Sequence, residues 1–141
     1  LWPPCMQPRA GLHGGSRSNN ASVVLKLVYG EVSFLFTGDA ETGSEIPMIR
    51  AWGGFLRSTV LKVAHHGSRS GTSAEFLEAV RPSIALLSVG LHNSFGHPSP
   101  ELLQRLERAH VRVRRTDREG AVILTSDGRS VREISWRQPF P

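Results

Sequence analysis

Three short apolar runs in this chain each stop at a cluster of residues able to do chemistry. Phe34-Leu35-Phe36 leads into Thr37-Gly38-Asp39, and Thr59–Ala64 leads into His65-His66-Gly67-Ser68. Ser83–Val89 leads into the stretch Asn93, Ser94, Gly96, His97, closed by Pro98. Runs of this length and composition read as strands. Helix signatures lie between them, so the chain reads as α/β with a mixed sheet. In such sheets ligands collect beyond the carboxyl ends of strands, so the three polar loops are expected to meet at one site.

The remaining elements follow from local signals. Residues 1–21 are rich in Pro, Gly, Ser and Asn without periodicity and read as an irregular opening segment; residues 22–141 read as a single domain. Ser22–Tyr29 and Glu31–Thr37, separated by Gly30, predict an antiparallel hairpin. A helix is expected to start near Ser44, Glu45, Pro47 and Ile49. Thr72 and Glu75 form a T-x-x-E capping box for a helix through Val80. Ser99 and Pro100 open another, with Leu102, Leu103, Leu106 and Ala109 on one face. Val111–Arg115, Ala121–Thr125 and Val131–Trp136 predict three closing strands, with turns at Glu119-Gly120 and Asp127-Gly128.

Composition removes several classes. One cysteine, Cys5, allows neither an internal disulfide nor a thiolate-built zinc site. No run approaches the roughly 20 apolar residues needed to span a bilayer. There is no Walker-type phosphate loop and no G-x-S-x-G elbow. A Ser68–His65–Asp39 triad fits poorly, because Ser68 lies in a loop rather than on a strained elbow. Lys and Arg exceed Asp and Glu, 17 to 12, for a net charge of +5. The excess gathers at Arg105, Arg108, Arg112, Arg114, Arg115 and Arg118. That run reads either as a polyanion-binding surface or as a solvated Arg-rich one.

Each candidate residue has a functional reading and a plain one. Asp39 can bridge cations at a sheet edge, or cap a helix. His65 and His66 can ligate a metal or face substrate, or be loop histidines without a role. Gly67 allows close backbone approach, and Ser68 can donate to an anionic oxygen. His97 can ligate, act as an acid or contact phosphate, or hold a turn beside Asn93. Asp117 supports the site from behind or holds the Thr116–Gly120 turn.

In order and spacing, Asn19-Asn20-Ala21-Ser22-Val23-Val24-Leu25, Phe34–Asp39, Leu61–Ser68, Ser88-Val89-Gly90, Asn93–Pro98, Arg115-Thr116-Asp117 and Gly120-Ala121 resemble the metallo-β-lactamase-like domain of ComEC proteins. The opening Leu1-Trp2-Pro3-Pro4 resembles the strand before this region. The resemblance implies the C-terminal half of a four-layer αββα metallo-β-lactamase fold. It implies a site for one or two divalent ions, zinc or manganese, with Asp39 bridging and His65 or His66 ligating. It implies His97 at the rim, Ser68 and Asn93 toward substrate, and Asp117 behind. The expected activity is phosphodiester hydrolysis of single- or double-stranded DNA during competence and transformation. The domain would be a soluble part of a bacterial membrane-attached protein, partnered by an upstream half and a membrane channel region. The first half of such domains carries an H-x-(D/H)-x-D-H loop. Here His13 is followed by Gly14-Gly15-Ser16 instead. The chain is therefore expected to be a fragment, a split-gene product or a remnant, inactive alone. Its unpartnered strands Ser22–Tyr29 and Thr59–Ala64 should expose apolar surface. The alternative is a non-catalytic, basic nucleic-acid-binding module of the same fold; another keeps the fold and changes the substrate to a different phosphodiester or an ester.

Overall fold

The computed structural model describes residues 16–136. The strand read at residues 1–4, His13 and most of the irregular opening segment lie outside the described residues. The elements are β1 (Leu25–Tyr29), β2 (Val32–Phe36), α1 (Thr42–Trp52), β3 (Val60–Lys62), α2 (Ala74–Val80), β4 (Ile84–Leu87), α3 (Pro100–Arg108), β5 (Arg112–Arg115), the single turn α4 (Thr116–Glu119), β6 (Val122–Ser126) and β7 (Val131–Ser135). No helix among the described residues is long and apolar enough to cross a membrane.

β1 to β5 form one sheet in sequence order, antiparallel between β1 and β2 and parallel thereafter. Parallel neighbours taken in order, with crossovers of one hand, put α1, α2 and α3 on the same face. The core lies there. Leu35, Leu61, Ala85 and Leu87 pack with Met48, Phe76, Leu77, Val80, Leu102 and Leu106. The mixed α/β sheet read from the sequence is therefore present.

The opposite face is only partly covered. Strand register puts Leu25, Leu27, Tyr29, Val32, Phe34, Phe36, Val60, Lys62, Ile84 and Leu86 on it. Val32, Val60 and Ile84 are buried, whereas Leu25, Leu27 and Tyr29 are each more than half exposed. The expected apolar surface thus exists on β1 but not on Thr59–Ala64. β3 is a central strand between β2 and β4, and Val60, Leu61, Val63 and Ala64 are buried. The last two strands form their own antiparallel pair rather than extending the sheet. Two contacts tie that hairpin to the main sheet: Glu31 N–H donates to Gly128 O at 2.6 Å, and Arg114 donates to Glu133 at 2.6 Å.

Helix starts differ from the sequence signals in instructive ways. α2 is capped by Ser73, whose hydroxyl accepts from Phe76 N–H, not by Thr72. Thr72 has φ +53° and turns its hydroxyl to Ala64 N–H, pinning the loop that leaves β3. α3 is capped by Ser99 with Pro100 in its first turn, matching the sequence. α1 has no cap from its own preceding residue. Instead Asn20 Oδ1, remote in sequence, accepts from Glu41 and Ser44 N–H. The predicted Thr116–Gly120 turn is one helical turn, α4.

Glu45 lies inside α1 and is 1% exposed. Its carboxyl accepts from Thr72 N–H and from Ser73 N–H, the latter at 3.0 Å, so a carboxyl side chain from one helix covers the start of another. Burial raises its pKa above the ordinary 4.5, although Ser73, Thr72 and Arg105 pull the other way. A raised folded pKa contributes stability below about pH 4.5 that is lost as pH rises through the folded value. Glu45→Gln, which cannot ionise, should therefore gain on the parent as pH rises from 4 to 8. Urea unfolding across that range is the measurement.

Candidate active site

The carboxyl ends of β2, β3 and β4 lie side by side, so the loops after them share one edge of the sheet. Backbone bonds lock the loops together: His65 N–H donates to Gly38 O at 3.0 Å, and Ser99 N–H to Gly67 O at 2.9 Å. His65 and His66 have φ of +45° and +54°, a left-handed conformation that side chains with a Cβ disfavour. Two consecutive such residues turn the chain sharply and send the two imidazoles in different directions. Backbone strain of this kind gathers where function demands a geometry.

Asp39 is not a helix cap; α1 begins after Glu41. Its backbone N–H donates to Ser22 Oγ at 3.1 Å, and its side chain is 44% exposed. The carboxylate Oδ1 faces His66 Nε2 at 3.8 Å. On the far side of that ring, His66 Nδ1 lies 2.8 Å from Ser88 O. A carbonyl only accepts, so Nδ1 carries the proton, and in the neutral ring Nε2 keeps its lone pair toward Asp39. Oδ1 and Nε2 therefore face each other across a gap wider than a hydrogen bond.

His65 is oriented by Glu41, which sequence reasoning missed. Its Nδ1 donates to Glu41 Oε1 at 3.1 Å. Ser70 Oγ also donates to that oxygen at 2.8 Å, and Ser16 N–H donates to Oε2 at 2.6 Å. Burial alone would raise the Glu41 pKa; the hydrogen bonds from Ser70, Ser16, Asn19 and His65 outweigh it and hold it below 4.5. Glu41 therefore stays charged and fixes the tautomer of His65. Only its place two residues past Asp39 could have marked it.

His97 closes the group, its ring 5.8 Å from that of His65. Burial, then the neighbouring His65 and His66, hold its pKa below 6.5, so it is neutral at pH 7. Its Nδ1 is buried with no hydrogen-bond partner among the described residues. Asn93 holds the loop: its amide accepts from His97 N–H and donates to His97 O, both at 2.9 Å. Lys62 also belongs to the neighbourhood. Burial lowers its pKa while Asp39 raises it, and its ammonium donates to Val63 O at 2.8 Å.

Two candidates stand apart. Ser68 is 8% exposed and pairs its hydroxyl with Ser70 Oγ at 2.9 Å, so it is turned inward. Asp117 is gripped by Arg115 through both carboxylate oxygens, at 3.0 and 2.6 Å, which lowers its pKa. The residue that actually braces the β4 exit is Thr116, whose hydroxyl accepts from Val89 N–H at 2.7 Å and donates to Val89 O at 2.8 Å. The arginine run is likewise not one free surface. Arg105 donates to the Arg69 and Gly71 carbonyls, Arg114 pairs with Glu133, and Arg115 with Asp117.

Among the described residues no three His, Cys, Asp or Glu side chains form a group able to hold a metal ion. Asp39 and His66 are two ligand-type side chains, fewer than such a group requires.

No protein-family model matches the chain. Curated relatives do. The chain is 38% identical over 104 residues to ComE operon protein 3 of Bacillus subtilis (strain 168), covering 74% of this chain and 13% of that protein. It is 42% identical over 105 residues to competence protein ComA of Neisseria gonorrhoeae, covering 74% of this chain and 15% of that one. Recombination protein 2 of Haemophilus influenzae is 38% identical over 104 residues, 74% of this chain and 13% of its own length. The chain therefore spans between 13% and 15% of the length of these relatives. By that shared segment, the chain is similar to proteins whose names indicate a competence-protein family.

Proposed function

We propose that this segment is the ligand-bearing C-terminal half of a metal-dependent phosphodiester hydrolase domain acting on DNA during uptake. The competence-named relatives support the uptake role. The observation that carries the hydrolase reading is the facing of Asp39 Oδ1 and His66 Nε2 at 3.8 Å, with the His66 tautomer set by Ser88 O. Fixing a histidine by a carbonyl behind it is how ligand histidines are oriented.

Asp39 and His66 would hold zinc or manganese together with ligands from a preceding half, in a metallo-β-lactamase fold. A bound ion would supply Lewis-acid stabilisation of phosphoryl oxygens and an activated water. The rest falls to the protein. His65, held through Nδ1 by Glu41, would use its Nε2 toward substrate or ion. His97, neutral at pH 7, is placed to hydrogen-bond the leaving oxygen. Lys62 places positive charge near the anionic substrate. The basic-module alternative gains less support, because half the arginines that motivated it are engaged internally.

The test joins this chain to the segment that precedes the matching region in a competence-named relative. The completed domain should hydrolyse a fluorescent DNA oligomer with manganese or zinc and stop when the metal is chelated. A metal-loaded domain that cleaves no phosphodiester would overturn the proposal.

A further inference from the structure

Next to the site, the loop between β4 and α3 leaves a cavity of about 200 Å³ lined by His66, Val89, Gly90, Asn93, Phe95 and His97. Phe95 stands on its rim, 80% exposed. It is placed rather than splayed: its ring stacks on His97 with centroids 6.0 Å apart and planes 21° apart. Asn93 clamps the loop from both sides of His97, so the stacked pair has a fixed base.

His66 belongs to both places, since it faces Asp39 and lines the cavity. A phosphate beside His66 would therefore have the base of an adjoining nucleotide close to Phe95. We propose that Phe95 is a base-stacking platform and that the cavity takes one unstacked nucleobase, which makes single-stranded DNA the preferred substrate. This rests on the phosphodiester reading above. Every base has a π-face, so an aromatic platform discriminates by unstacking rather than by sequence. In a duplex the same base is covered on both sides by its neighbours and cannot reach the ring without leaving the helix. Gly90 keeps that wall open, with nothing within 4 Å of where its Cβ would stand.

The experiment compares a labelled thymidine oligomer with an abasic oligomer of equal phosphate count, by fluorescence anisotropy on the full chain without added metal. Stacking predicts on the order of tenfold tighter binding of the base-bearing strand. Phe95→Ala should bring the ratio of the two affinities near one, and Phe95→Trp should keep it. A ratio near one in the parent overturns the platform, as does a tenfold ratio surviving Phe95→Ala. A Phe95 that seats another polypeptide gives the first of those results. Failure of the hydrolase reading looks different: the ratio holds while the completed, metal-loaded domain cleaves nothing.

Discussion

Asp39→Ala should lower phosphodiester hydrolysis by the completed, metal-loaded domain by about a thousandfold while leaving the fold intact. The two halves of that expectation have separate causes. A lost ligand costs several kcal/mol of transition-state stabilisation, and each ~1.4 kcal/mol is a factor of ten in rate. Stability is spared because the side chain is 44% exposed. What Asp39 contributes to the loop is its backbone N–H to Ser22 Oγ, which alanine retains. Initial rates with a DNA oligomer, read beside thermal melts of both proteins, separate the effects. A variant that still cleaves at the parent rate, or one that melts far below it, would contradict the assignment.

Gly67→Ala should be strongly damaging for so small a change, lowering the melting temperature by roughly 10 °C. Gly67 has φ +92°, and a Cβ there would stand 2.7 Å from Pro98 Cβ and 3.0 Å from Leu87 Cδ2. Neither neighbour is the free end of a long side chain. Left-handed backbone costs about 1–2 kcal/mol for a residue with a Cβ, and overpacking a further 1–3 kcal/mol. The clash also falls where the β3 loop meets the start of α3, so it should push His97 away from His65. Gly54→Ala is the control: nothing lies within 4 Å of its would-be Cβ. Circular dichroism melts of the two variants should differ widely.

Those two positions were unequally visible beforehand. Asp39 and the His65-His66 pair could be picked out because strand ends are readable and their side chains are chemically distinctive. Ser99 and Pro100 were readable for the same local reason. Glu41 and Glu45 were not, since acidic residues at the start of a helix ordinarily mean solvent. Here Glu41 is tethered by Ser16, Asn19, His65 and Ser70, and Glu45 is buried under α2. Both roles depend on partners more than twenty residues away, which no local pattern encodes. Asn93 and Asp117 show the converse. Their residue types suit substrate contact and support of the site or turn, and the structure adds the bonds each makes to its own neighbours. The capping box slipped by one residue because Thr72 was needed to hold Ala64.

Parallel pairing from β2 to β5 also imposes a timetable on the chain as it is made. The β1–β2 hairpin closes through one glycine turn and can form within on the order of microseconds. Each later strand must instead wait for its crossover helix, because parallel neighbours cannot be joined by a tight turn. Non-local pairings of that kind are the slow ones. Asp39, His65-His66 and His97 sit on three successive loops of this series, so they converge only in its final steps. Until then the newly synthesised chain carries its imidazoles and carboxylate as separate, freely solvated groups, and any ion they capture early must be released or carried through the last strand pairings.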